Sequence, residues 1–401
     1  PLIASRWLNT GHMATEDVTD AVRLMGFVFA CQFPTGMYSG GLQGLGRQVE
    51  LNVILSTAAV ARAVVSVAVL AMVAPTVHAF FVTQAVLALL QSAVLAWSVW
   101  RSLPHDPAPA RFDLGALRPI WQFAAGMFGI SILSMLLAQA DKIVVSKALP
   151  LAAFGYYMIA SSVGASLSRL TSPIFASVFP RLAQLRAVGD EGQITALYHT
   201  ASQWMTVVIV PPAIILALFA PEVLQAWTGN PLIAANAAAV MSLLLVGHLL
   251  NGLMNMPYAL QLAYGITSIT LISNIVALIF LVPGTYWMST MFGGKGAASM
   301  WALLNIGYVT FGVMAMHRRV LPHAAKRWYT RDVGLPLLVG AATGSIFRLL
   351  FRGPYKGLPA VLLIGVAATV TLAATFSVTP AARGWLLERV RRLPARPEAV
   401  P

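Results

Sequence analysis

Charge is scarce in this sequence and cysteine nearly absent. Of 401 residues, 10% are Asp, Glu, Lys or Arg, too few for the charged surface that keeps a globular domain in water. Cys31 is the sole cysteine, which excludes an internal disulfide and a cysteine-based metal site and leaves the redox compartment unread. No G-x-x-x-x-G-K-[ST] phosphate loop occurs, so a membrane ATPase is disfavoured and energy must come from an ion gradient, the membrane potential or the cargo gradient. Of the 13 acidic residues, Asp141 alone is read as lying inside an expected membrane span.

Apolar sequence fills the space left by charge. Hydrophobic residues make up 58% of the chain, and the mean hydropathy is +0.76. Windows of about 20 apolar residues, enough at about 1.5 Å per residue to cross about 30 Å of hydrocarbon, recur along almost the whole length. An all-α, polytopic membrane bundle is expected. Spans are read near 18–45, 50–74, 77–101, 115–147, 151–181, 195–219, 232–262, 265–289, 296–317, 333–352 and 356–378. "PLIASRWLNT" looks like the end of a helix rather than a signal peptide, and an N-terminal truncation is expected.

The net charge of +13 would suit nucleic acid only if the basic residues formed one folded patch. They are spread instead over short loops, so no nucleic-acid partner is expected. Alternate connections carry Arg47; Arg101, Arg111 and Arg118; Arg181 and Arg186; and Arg318, Arg319, Lys326, Arg327 and Arg331. The tail adds Arg383, Arg389, Arg391, Arg392 and Arg396. The intervening connections hold only Arg6, Lys147, Lys295, Arg348, Arg352 and Lys356. Short basic loops are retained on the cytoplasmic side, which places the loop after residue 45 and the C-terminus there. The tail begins as a basic amphipathic stretch that suits either anionic lipid or plain solvation.

Two Pro- and charge-rich breaks, "RSLPHDPAPARFDLGALRP" and "HRRVLPHAAKRWYTRD", divide the chain. A weak echo links "MYSGGLQGLG" at 37–46 to "MPYALQLAYG" at 256–265: each ends a long span with Tyr, then Leu-Gln, then Gly. Transporters are often built from such repeats, with cargo at the interface between them.

Several polar residues lie where lipid would be. Arg62 interrupts "VILSTAAVARAVVSVAVLAMV" about 17 Å inside its span. Charge at such depth costs about 2.5 to 3.5 kcal/mol on insertion scales, so it must face protein or water. Arg169 shares a helical stripe with Ser162, Ser166 and Ser172, read either as a polar lining or as close helix packing. His248, Asn251, Asn255 and Tyr258 form another stripe near Pro257, with cavity lining and interhelical hydrogen bonding as the alternatives. Gln32, Thr35 and Ser39 around Pro34 repeat it faintly. Asp141, beside Lys142, suits ion coupling or an interfacial ion pair. Arg23 is expected to line an outer mouth or to snorkel.

"LAQADKIVVSKALPLAAFGYYMIASSVGASLSRLTSPIFASVFPRLAQL" at 137–185, together with "GLQGLGR" at 41–47, resembles polysaccharide and O-antigen flippases of the multidrug, oligosaccharidyl-lipid and polysaccharide exporter superfamily. The resemblance implies two pseudo-symmetric six-helix lobes around a central cavity, followed by two extra helices. Residues 1–105 would be the remainder of the first lobe, 115–320 the second lobe, 331–380 the additional pair, and 381–401 a basic cytoplasmic tail. It implies a multi-pass protein of the bacterial cytoplasmic membrane, without cofactor or metal, moving a polyprenyl-pyrophosphate-linked glycan by alternating access. Membrane lipid and a polysaccharide polymerase are the expected partners, and the chain is expected to be a monomer.

Arg62 and Arg169 are the residues assigned to the pyrophosphate, since guanidinium is a permanently charged, forked donor that fits phosphate oxygens. His248, Asn251, Asn255 and Gln32 are assigned to the rest of the cavity. A peptidoglycan-precursor flippase remains open, because its cargo also bears pyrophosphate. A multidrug exporter fits less well, because these arginines would repel organic cations. A membrane polymerase or glycosyltransferase would need more carboxylates or a large aqueous loop.

Overall fold

The computed structural model describes residues 15–103, 114–351, 353 and 357–391. Arg6, Arg111, Arg352, Lys356, Arg392 and Arg396, the opening "PLIASRWLNT" and most of the first Pro-rich break lie outside them. Every element among the described residues is helical, and the chain folds as two compact units, Pro1–Phe112 and Asp113–Pro401.

Unit 1 is three helices: α1 (Thr15–Gly44), α2 (Gln48–Met72) and α3 (Val77–Ser102), with α3 packed against both others. Its core is small, built from Leu42, Leu51, Leu95 and Val99. The proline in α1, Pro34, removes a backbone donor, and Ser92 of α3 donates to the nearby Cys31 carbonyl at 2.9 Å. Since that proton is taken, the Thr35 hydroxyl donates to Ser92 Oγ at 3.0 Å. Both bonds tie α1 to α3.

Unit 2 begins with α4 (Leu114–Ala148), α5 (Leu151–Ser166), α6 (Ser168–Val188) and α7 (Glu191–Leu218). A short α8 (Ala220–Thr228) leads into α9 (Pro231–Leu253), α10 (Asn255–Ala263) and the long α11 (Ser268–Gly307). A π-helical turn at Tyr308–Gly312 and α12 (Val313–Val320) follow, then α13 (Ala324–Arg327) and a second π turn, Trp328–Gly334. The unit closes with α14 (Leu335–Leu350), α15 (Leu358–Ser377) and α16 (Pro380–Arg391).

The hub is α7, the most buried of the long helices, touched by α6, α9, α14, α15, α16 and the second π turn. Its start is capped by Asp190, whose carboxylate accepts from the Gln193 amide at 2.9 Å and from its side chain at 2.6 Å. Close approach by small residues brings α14 onto it, since a Cβ at Gly340 or Gly344 would meet Val210 or Ile214 at 2.7 Å.

Nine helical segments among the described residues are long and apolar enough to cross a membrane. One of them, Ser268–Val320, is two passes: Gly293 has φ 62° and ψ −146°, a conformation essentially closed to residues with a Cβ. The limbs then lie antiparallel, Gly284 against Met300 and Asn274 against Tyr308. The nine segments therefore account for ten of the expected spans. The remaining one, α1, is 30 residues long but carries acidic residues at its start and Gly, Ser and Gln at its end, and it is not among the nine.

The repeated "LQ…G" stretches end their helices in the same way. Gly46 donates to the Gln43 carbonyl and Arg47 to Leu42; Gly265 donates to Leu262 and Ile266 to Gln261. Both glycines have positive φ, 74° and 71°, as this helix stop requires.

Two expectations need correction. The break "HRRVLPHAAKRWYTRD" is mostly helical, and the segment that follows starts at Ala324 rather than near 333. Its cations stay exposed while Trp328 and Asp332 turn inward, so charge density in the sequence hid a buried face. The tail is not plainly solvated over its described part: the Ala381 amide donates to Gln203 Oε1 at 2.8 Å, and Trp385 meets Trp204 edge-on at 6.1 Å.

Gly293→Ala is expected to cost about 1–3 kcal/mol, because the added Cβ disfavours the turn conformation. Thermal unfolding of the detergent-solubilised chain measures it; an unchanged midpoint would show that the hairpin does not depend on this residue.

Candidate functional site

In unit 1, α2 and α3 enclose a cleft of about 440 Å3 lined by Arg62, Ser66, Gln84 and Gln91, with Leu55, Ala59, Ala63 and Phe80 as its apolar walls. Arg62 and Ser66 are one turn apart on α2, so both face α3. Arg62 Nη2 donates to Gln91 Oε1 at 2.7 Å, and Gln84 Nε2 donates to Ser66 Oγ at 3.0 Å. Arg62 Nε is buried without a partner among the described residues. No carboxylate of the described residues lines the cleft, so the guanidinium is without an ion-pair partner there and has N–H groups to spare. Ser66, Gln84 and Gln91 were not singled out in the sequence, although one heptad separates the two glutamines and places them on one face of α3. Gln32 is half-buried but does not line this cleft, and Arg23 is exposed.

In unit 2, the expected stripe crosses a break. The α-helix is interrupted at Leu167, between α5 and α6, and Arg169 lies just past it, exposed and without hydrogen bond or ion pair among the described residues. Ser162 and Ser172 are exposed and Ser166 half-buried, which disfavours close helix packing along this stripe. Their hydroxyls donate to backbone carbonyls three or four residues earlier, at 2.7 Å.

The second stripe separates. His248 makes no hydrogen bond among the described residues; its ring packs on Gly164 and lies 5.4 Å from the Trp301 ring. Asn251, Asn255 and Tyr258 instead meet in a cavity of about 240 Å3 within unit 2, completed by Ser134 of α4, Gln261 of α10, and Thr270, Ser273 and Asn274 of α11. Tyr308, Met254 and Met316 close it. No residue lining it carries a charge. Internal bonds fix its frame: Asn251 donates to Asn305 at 2.9 Å, Asn255 to the Gly252 carbonyl at 2.9 Å and Gln261 to Thr270 at 2.7 Å. Tyr308 donates to Asn274 at 2.8 Å, and Asn274 to Ser134 at 3.2 Å. Tyr258 stacks on Phe175 with ring centroids 5.7 Å apart.

Asp141 is 6% exposed. Its first partner is Tyr157, whose hydroxyl donates to Oδ2 at 2.6 Å; the Lys142 ammonium is 3.7 Å from Oδ1, which accepts no hydrogen bond. The neighbouring lysine thus makes a loose ion pair while a buried phenol holds the carboxylate. Lys142 also donates to the Ala138 carbonyl at 2.5 Å.

Asp141 is not alone within the apolar segments. Glu50 lies in Gln48–Met72 and accepts from Ser98 at 2.6 Å. Asp332 lies in Ala324–Leu350, fully buried, hydrogen-bonded to His199 and accepting from Gln203 Nε2 at 2.7 Å, with Arg327 3.8 Å away. Beside it, His317 Nδ1 bonds the Val313 carbonyl at 2.9 Å and its Nε2 pairs with the Tyr198 hydroxyl at 2.9 Å. His317 Nδ1 is the donor to Val313, since a carbonyl only accepts. This cluster clamps the second π turn and α12 to α7. The adjacent Tyr198 and His199 were its only sequence signal.

Between the α6–α7 and α10–α11 turns, Tyr264 donates to Glu191, which also binds Arg186 at 2.8 Å. Burial, with Glu191 beside it, pushes the Tyr264 phenol up to about 12, so it remains a donor at neutral pH.

Apolar helices that carry polar clefts inside them define a multi-pass helical membrane protein. Residues 5–235 match the family model described as Polysaccharide biosynthesis protein, and the chain belongs to that family. A Shigella flexneri protein named as a candidate O-antigen transporter is 25% identical over 192 residues, 48% of this chain and 45% of the relative, so the match spans less than half of that relative's length. Among solved structures, the lipid II flippase MurJ in an inward closed conformation shares the fold, with a TM-score of 0.54 and 11% identity over 92% of this chain and 75% of MurJ.

Asp332→Ala is expected to cost about 3–5 kcal/mol, because it strands His199 and Gln203 in an apolar interior. The double change His199→Phe, Asp332→Leu should recover part of that loss. Thermal midpoints of the two variants decide it, and equal midpoints for Asp332→Ala and the parent would remove the clamp.

Proposed function

We propose that this chain translocates a polyprenyl-pyrophosphate-linked oligosaccharide, an O-antigen, capsule or exopolysaccharide unit, across the bacterial cytoplasmic membrane by alternating access. The observation that carries the proposal is Arg62: a guanidinium inside an apolar helix, held by a neutral glutamine, with a buried Nε unpaired and an open cleft beside it. A cation neutralised by a carboxylate would have nothing left for cargo. This one offers charge and N–H groups to a passing pyrophosphate, lowering the barrier to moving that group through hydrocarbon. Family membership supports the reading.

In the same reading, residues 1–105 belong to a first lobe, 115–320 form a second, 331–380 an additional pair, and 381–401 lie in the cytoplasm. Arg169, Asn251, Asn255, His248 and Gln32 are the further residues proposed to meet the cargo, and Arg23 the one proposed for the mouth of its path. Transport is driven by a gradient and makes or breaks no bond of the cargo, so the chain is not an enzyme. Asp141 and Lys142 are the groups proposed for coupling. The chain works as a monomer, alongside a polymerase that receives the cargo.

Transport measured in proteoliposomes tests the site. Arg62→Ala should slow translocation about ten- to hundred-fold, from the loss of charge-assisted hydrogen bonds worth about 1.5–3 kcal/mol, and Arg169→Ala should slow it in the same direction. Lysine at either position should retain part of the rate. Unaltered transport in the double alanine variant would overturn the assignment. Orientation has its own test: a reporter fused after residue 401 should register as cytoplasmic, and an external signal would contradict the span count.

A further inference from the structure

We propose that the cavity of unit 2 is a binding site for one uncharged sugar ring of the cargo, separate from the cationic cleft around Arg62. This rests on the reading of the chain as a carrier of lipid-linked glycan.

The balance of free donors and acceptors left inside the cavity carries the argument. Asn251, Asn255 and Gln261 each donate a side-chain N–H within the protein, which leaves three amide oxygens as unused acceptors. Tyr258 and Ser273 make no hydrogen bond among the described residues, and Thr270 only accepts one, from Gln261. Ser134 likewise only accepts one, from Asn274, so four hydroxyls remain able to donate, beside the second N–H of each amide. A phosphate or carboxylate needs donors only, and an amide oxygen turned towards it is repulsive. A cation would seek carboxylates, and none lines the cavity. Sugar hydroxyls each donate and accept, which is what a mixed set of this kind satisfies.

Size and shape agree. A cavity of about 240 Å3 has room for a single pyranose ring. The Tyr258 ring, held by stacking on Phe175, gives one wall an aromatic face for the apolar face of a sugar. Asn251, Asn255, Gln261, Asn274 and Tyr308 are held by the internal bonds already described, so this frame is formed before any ligand arrives. An amide and hydroxyl lining without charge also selects: an acidic sugar would enter without a cation to meet it.

The test uses the whole chain in lipid nanodiscs and saturation-transfer NMR. The probes are methyl glycosides of neutral pyranoses (glucose, galactose, mannose, rhamnose and N-acetylglucosamine), compared with methyl glucuronide and inorganic pyrophosphate. At least one neutral glycoside should bind, and glucuronide and pyrophosphate should not compete with it. Tyr258→Phe and Ser273→Ala remove only hydroxyls without a partner among the described residues, so both variants should fold, and each should weaken binding about five-fold. Ser273→Trp, which fills the cavity, should abolish it, while Arg62→Ala should leave it unchanged. Absence of binding by every neutral glycoside, equal binding of glucuronide, or binding that survives Ser273→Trp would overturn the proposal. Neutral-sugar binding in a chain that fails to move lipid-linked glycan would sink the transport reading and leave the sugar site standing. Transport without neutral-sugar binding would do the reverse.

Discussion

A polar group placed among apolar helices, away from water, must find its partner within the chain or keep one for a ligand, and this requirement sets which helices meet. In unit 1 the Thr35, Ser92 and Cys31 bonds join α1 to α3, while the Arg62 and Gln84 bonds join α2 to α3. In unit 2, Asp332 draws the second π turn against His199 and Gln203 of α7, and Gln203 in turn takes the first free amide of α16. Apolar packing among lipid tails is weakly directional, because lipid is as apolar as leucine. These few hydrogen bonds and the close glycine contacts around α7 supply direction that packing alone would not.

Two partly unpaired groups carry the functional proposals. Arg62 retains donors and charge; the unit 2 cavity retains a mixture of amide acceptors and hydroxyl donors with no charge at all. The two proposed ligands, a pyrophosphate and a neutral sugar, would make those two different demands. Asp332, Glu222 and His317, by contrast, are engaged in bonds between neighbouring helices: Glu222 pairs with Arg348 at 2.6 Å and His317 with Tyr198. Their chemistry is largely spent on holding α14, α12 and the second π turn in place.

Much of this was legible in the amino acids. The apolar windows announced a membrane bundle, the hairpin at Gly293 separates two spans that hydropathy had already divided, and Arg62 stood out by depth alone. Reading failed where a polar residue's surroundings come from a distant segment. Asp332 sits among exposed arginines in the sequence and was read as part of a loop, yet its partners His199 and Gln203 are well over a hundred residues away. His248 and Asn251 share a stripe, but Trp301 and Gly164 claim the first while the cavity takes the second.

Composition and periodicity by themselves determined the fold class and the depth of Arg62, because hydrocarbon admits few charges and any helix of sufficient apolar length can cross it. Tertiary structure alone decided which polar groups are satisfied and which remain open: a hydrogen bond depends on angstrom-scale positions of residues far apart in the chain. Spacing along a single helix shows which face a side chain is on. What that face meets is set by the helices that pack against it.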